Sequence, residues 1–79
     1  MLTYENFISG LWAAVNKCPT NWRQGQKVFN VIDEVYGIAR DVQFKDGVDC
    51  FYDDKKIDEF IEKAWNRIKT TEYWDSRKP

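Results

Sequence analysis

Two short stretches hold the residue types from which a site could be built. Residues 21–30 read NWRQGQKVFN, with a tryptophan, an arginine, two glutamines and an asparagine gathered around Gly25. Residues 46–54 read DGVDCFYDD and place Asp46, Asp49, Asp53 and Asp54 close together. Clustered carboxylates are what hard cations such as calcium or magnesium select. The spacing departs from a calcium loop of the EF-hand kind, which puts ligands at alternate positions and closes with a glutamate. Each acid also has a local role open to it. Asp46 can serve the turn, Asp53 or Asp54 can cap a following helix, and the other can sit by that helix's positive end.

Arg23 offers five donors in a rigid fork that suits a carboxylate. The expectation is that Arg23 and Gln26 face the loop before the last helix, with Arg23 beside Asp49 or Asp53. Gly25, lacking a side chain, would let that loop approach the helix. Asn21 followed by Gln24 has the form of a capping box. A polar cluster of Asn21, Arg23, Gly25, Gln26, Asn30, Asp49, Asp53 and Asp54 would then hold elements together. The alternative leaves Arg23 in solvent as an anchor for a ligand.

Other chemistry lacks its usual groups. The chain has no histidine, so the common general base and the common activator of serine or cysteine are missing. Its serines are Ser9 and Ser76, and no glycine-rich phosphate loop is present. The reading is a protein that is not an enzyme, with no catalytic residue, no cofactor and no metal assigned. Cys18 and Cys50 stand in no metal-ligand spacing and read as two reduced, partly buried thiols, with a disulfide between them as the alternative.

The elements that position these residues are helices. In the first, about residues 4–17, Tyr4, Phe7, Ile8, Leu11, Trp12 and Val15 form one apolar stripe behind a Thr3 cap. In the second, about 21–36, Trp22, Gly25, Phe29, Ile32 and Tyr36 make a face that Val28, Val31 and Val35 widen, so this helix should be central. Gly37 should end it in the left-handed conformation. The third main helix, about 54–69, repeats the stripe at Ile57, Phe60, Ile61, Ala64, Trp65 and Ile68. Acids at its start and bases near its end suit the macrodipole. A short helical turn is expected near 38–42. Residues 43–52 alternate about Asp46-Gly47 and suggest an ordered loop or a minimal hairpin. The fold class is therefore all-α: a small bundle of three main helices in one domain over 1–79, with 70–79 as a tail that frays or packs back.

Seventy-nine residues lie near the lower limit for a domain without metals or disulfides. Thirteen aromatic residues supply the bulk a small core needs. Net charge is −1, with acids and bases interspersed. That balance argues against binding duplex DNA or an anionic membrane by charge. No apolar run reaches the roughly 20 residues of a membrane span, and no secretory signal is apparent at the start.

The pattern Arg23-x-Gly25-Gln26-x-x-Phe29-Asn30, then Asp49-x-Phe51-Tyr52-x-Asp54, resembles a group of short open reading frames of bacteria and their phages. Those read R-x-G-Q-x-x-F-N, then D-P-F-Y-x-D, then an amphipathic helix. Cys50 stands where that group has proline. The resemblance covers residues 21–65 and implies a compact helical domain of phage or mobile-element origin in the bacterial cytoplasm, without assigning an activity.

Thirteen rings exceed what three short helices readily hide, and Trp and Tyr dominate interface hot spots. The leading expectation is a non-catalytic module that binds a larger host or defence protein and modulates or inhibits it. Trp12, Tyr52, Tyr73 and Trp74 are the candidate partner-binding residues. The alternatives are a structural homodimer, or a single-strand nucleic-acid binder that stacks bases on exposed rings.

Overall fold

A computed structural model describes residues 3–70. The chain is all-helical there, and among the described residues there is no strand. Helix α1 spans Tyr4–Val15, α2 Gln24–Tyr36, α3 Ala39–Lys45 and α4 Ile57–Thr70, with a 3-10 turn at Asp54–Lys56 leading into α4. The tail expected at 70–79 lies almost wholly outside the described residues.

Thr3 caps α1, its hydroxyl accepting from the Asn6 N–H at 3.1 Å. The helix stops at Val15, two residues before its expected end. Lys17 and Cys18 donate three residues back, to the carbonyls of Ala14 and Val15, so the chain tightens before Pro19. The second helix begins at Gln24, not Asn21. The Trp22 N–H bonds the Pro19 carbonyl at 3.2 Å, which folds this segment into a turn and leaves Asn21 exposed. The helix cap is Arg23, in extended geometry and with no side-chain cap bond. The capping box of Asn21 and Gln24 therefore does not form.

Gly37 ends α2 at φ 70°, its N–H reaching the carbonyls of Ile32 and Asp33. A β-carbon is strained at such an angle, which is why glycine suits this stop. The expected turn at 38–42 is longer, the seven-residue helix α3. The hairpin suggested at 43–52 is absent, because Asp46-Gly47 stops a helix instead of joining strands. Gly47 takes φ 73°, and Val48 donates back to the Val42 carbonyl at 3.3 Å. The chain then turns inward, burying Val48 and Cys50.

Helix α2 is central and touches α1, α3, α4 and the 3-10 turn. Around it pack Phe7, Leu11 and Val15 of α1, Ala39 and Val42 of α3, and Phe60, Ile61, Ala64 and Ile68 of α4. Burying each large apolar side chain contributes about 1.5–3 kcal/mol. No polar or charged residue is buried among those described. Two aromatic groups brace the bundle. Phe7 stacks on Trp65 at 5.3 Å and meets Tyr36 edge-on at 5.4 Å. Phe29 packs against Phe60 at 5.5 Å and Phe51 at 5.4 Å. Val35, expected to widen the buried face of α2, is 54% exposed.

Candidate binding site

The loop before α4 lies against the first turn of α2, and four contacts join them. Arg23 donates from Nη2 to the Phe51 carbonyl at 2.8 Å, and its guanidinium lies 5.8 Å from the centre of the Tyr52 ring. The Gly25 N–H donates to Oδ1 of Asp54 at 2.9 Å. The Cys50 thiol donates to the Gly25 carbonyl at 3.3 Å. Gly25 is required by this closeness. A β-carbon there would fall on the Cys50 carbonyl oxygen and stand 2.9 Å from Oδ1 of Asp54.

The first N–H groups of a helix have no partner inside it, and their end of the macrodipole favours negative charge. Asp54 meets both needs for α2 from 29 residues away. It takes the place that Asn21 and Gln24 leave empty. Burial pushes the Cys50 thiol up to about 12, and the nearby Asp49 charge adds to the effect. Cys50 is therefore a buried hydrogen-bond donor and no nucleophile near neutral pH. Cys18 is half-buried, and both cysteines are free thiols.

The other acids of this segment also take separate partners. Asp49 accepts from the Phe51 N–H at 2.8 Å, and Asp53 caps the 3-10 turn by accepting from the Lys55 N–H at 3.0 Å. Asp46 forms a two-pronged pair with Arg67 of α4, at 2.8 and 3.0 Å. The Arg67 hydrogen bonds hold its carboxyl below its ordinary value, against an opposing effect of burial. Among the described residues no group of three or more Asp, Glu, Cys or His is placed to hold a metal ion.

The expected partner of Arg23 needs correction. It binds a backbone carbonyl, and among the described residues it has no ion pair with Asp49 or Asp53. Those two carboxylates are turned toward the N–H groups of their own loop. Gln26 is half-buried. Asn30 faces away from the junction, into an open groove of about 370 Å³ shared with Cys18, Pro19, Trp22 and Val35. The polar cluster thus reduces to Arg23, Gly25 and Asp54, with the Cys50 thiol and the Phe51 carbonyl added.

Beside the junction, α3 and the loop leave a second groove of about 260 Å³. Phe29 and Phe51 line it together with Phe44, Tyr52, Arg40 and Gln43. Phe44 is 76% exposed and Tyr52 is 73% exposed. Arg40 is its one ionic residue, and among the described residues Arg40 has no ion pair. Trp12 packs half-buried against the core, so it offers no open ring. Tyr73 and Trp74 lie outside the described residues.

Comparison with known proteins finds no matching family model, no similar curated protein and no similar solved structure. The site is read from its own geometry. No helix among the described residues is long and apolar enough to cross a membrane.

Phe44, Arg40 and Gln43 are absent from the sequence-derived site. The strand-like alternation of residues 42–50 hides Gln43 and Phe44. As a helix, residues 39–45 put Ala39 and Val42 on the core, and Phe44 falls off that face.

Proposed function

We propose that this protein is a non-catalytic binding module that grips a larger protein through the groove between α3 and the 51–52 loop. The observation behind this reading is the pair of exposed rings, Phe44 and Tyr52, which line one groove with the more buried rings of Phe29 and Phe51. A small protein gains nothing for folding by holding a phenylalanine in water, whereas aromatic side chains anchor interfaces at low entropic cost. The groove is smaller than the roughly 300–1,000 Å³ of sites that enclose small molecules. It suits one side chain of a partner, the shape of an interface anchor. The motif resemblance supports a phage or mobile-element accessory role in the bacterial cytoplasm, acting by covering a host or defence protein.

The test compares the parent with a Phe44→Ala/Tyr52→Ala variant, both immobilised and exposed to bacterial lysate. The reading expects a protein kept by the parent and released by the variant, and expects that protein, once purified, to bind the parent in solution. Equal retention by both, or retention by neither, overturns it. Sedimentation of the parent at micromolar concentration should give a monomer. A dimer lost on Phe44→Ala would make the groove a contact between copies.

A further inference from the structure

We infer that residues 49–54 act as a strap: the segment lifts from α2 and reseats while the helices stay folded, and only the seated state carries the groove. The inference rests on the binding reading above and adds how that site is switched. The segment runs between two fixed ends. On one side Asp46 is held to Arg67 of α4 at 2.8 and 3.0 Å, and the buried Val48 donates to the Val42 carbonyl. On the other side the 3-10 turn leads directly into α4.

Between those ends the hold on α2 is slight. Among the described residues no backbone-to-backbone hydrogen bond joins residues 49–54 to α2. The three bonds at the junction each use a side chain: Arg23 to the Phe51 carbonyl, the Gly25 N–H to Asp54, and the Cys50 thiol to the Gly25 carbonyl. Arg23 and Asp54 are exposed, so water competes for both. A thiol is a weak donor. Of the largest fully buried side chains, the strap supplies Cys50, and the others belong to α1, α2, α3 and α4. Lifting it gives up three replaceable bonds and a modest apolar area, and the helical core stays packed. Segments of that kind open at a lower cost than global unfolding.

Phe51 and Tyr52 ride on the strap and line the groove with Phe29 and Phe44. Seated, the Phe51 ring meets Phe29 edge-on at 5.4 Å and Tyr52 at 4.7 Å. Lifted, the groove loses this wall, while Phe29 and Phe44 remain on their helices. A partner that needs the wall binds the seated state alone. Its binding therefore draws the strap down, and a strap held open turns the site off. Cys50 is fully buried, and its thiol is directed at the Gly25 carbonyl. A bulky group on that sulfur cannot be accommodated with the strap seated.

Cys50 thus gauges the opening. In a Cys18→Ser background, the whole protein is mixed with dithiobis-nitrobenzoate at urea concentrations below the unfolding transition. The Cys50 thiolate attacks the reagent, a mixed disulfide forms, the reagent's S–S bond breaks and coloured thionitrobenzoate leaves, the thiol's proton passing to solvent. Labelling should run about tenfold or more faster than the global unfolding equilibrium allows. It should be nearly flat against urea, because a local opening exposes little surface. Arg23→Ala should raise the rate about fivefold, the worth of one hydrogen bond. Val15→Ala, on α1, should lower the urea midpoint and leave the rate within about twofold, as for a distant, independent site. Labelling that rises with urea as steeply as global unfolding, and that Val15→Ala accelerates, overturns the strap.

The labelled protein then tests the link to the groove. Its helical circular dichroism should match that of the unlabelled form. Immobilised and exposed to bacterial lysate, it should lose whatever the unlabelled form retains and the Phe44→Ala/Tyr52→Ala variant releases. Equal retention by labelled and unlabelled forms overturns the switch. Retention by neither ends the binding reading and the switch with it, while the labelling rates still decide whether the strap lifts.

Discussion

The junction at Gly25 and the groove at Phe44 share one loop, yet they are built in opposite ways. At the junction each polar group has a partner. The Gly25 N–H and carbonyl, the Cys50 thiol and the Asp54 carboxylate are all bonded, and no space remains for one further carbon. In the groove Phe44 stands in water, and Arg40 meets no acid among the described residues. Completed bonds and tight packing raise stability. Open rings and an unanswered charge do not. The contrast separates what closes this small bundle from what is left over for a partner.

The sharpest way to break the comparison is Gly25→Ala. In an ordinary helix this change would stabilise by up to about 1 kcal/mol. Here the new carbon meets backbone at Cys50, so the loop must move. We expect a loss of about 3 kcal/mol or more, at the top of the range for overpacking, measured by urea unfolding. A gain in stability would mean that the loop is not seated on α2.

Asp54→Ala comes next. It removes the long-range cap of α2 and should cost about 1–2 kcal/mol, as helix caps generally do. Asn21→Ala should cost less than about 0.5 kcal/mol, the usual limit for an exposed side chain without a special role. If the two costs are reversed, the capping box forms after all. Arg23→Ala should cost about 1 kcal/mol, the net worth of one hydrogen bond. The several kcal/mol expected for breaking a buried ion pair does not apply, because Arg23 is exposed and its partner is a carbonyl.

A smaller effect is tied to pH. The Arg67 hydrogen bonds lower the Asp46 carboxyl in the folded chain, so the pair's contribution is present above the ordinary aspartate value. It is lost as pH falls through the lowered one. For a pair whose side chains stay partly exposed, 29% for Arg67 and 25% for Asp46, this amounts to about 0.2–1 kcal/mol. Asp46→Asn should reduce the stability lost between about pH 5 and pH 2, read as thermal midpoints across that range. An unchanged acid slope would show that the pair contributes nothing.

The all-helical fold was legible because three stripes repeat at the helical period and because Thr3 and Gly37 mark a start and a stop. The second helix start was misplaced for a physical reason: its cap comes from Asp54, far along the chain, and local spacing cannot display such a bond. Residues 43–52 were obscured by an alternation that serves a different purpose. Val48 and Cys50 point into the core as a loop crosses it, and Gly47 ends a helix. The proximity of Arg23 and Gly25 to the second motif was foreseeable from the need to join a helix end to a loop. The groove was not, since Phe44 gains its meaning only once α3 is extended to Lys45.

Urea unfolding of Phe44→Ala against the parent tests the central claim most directly. The account predicts a free energy of unfolding within about 0.5 kcal/mol of the parent, as for surface positions without a structural role. A loss of about 2 kcal/mol or more, the scale of a buried large side chain, would contradict it and return this ring to the core.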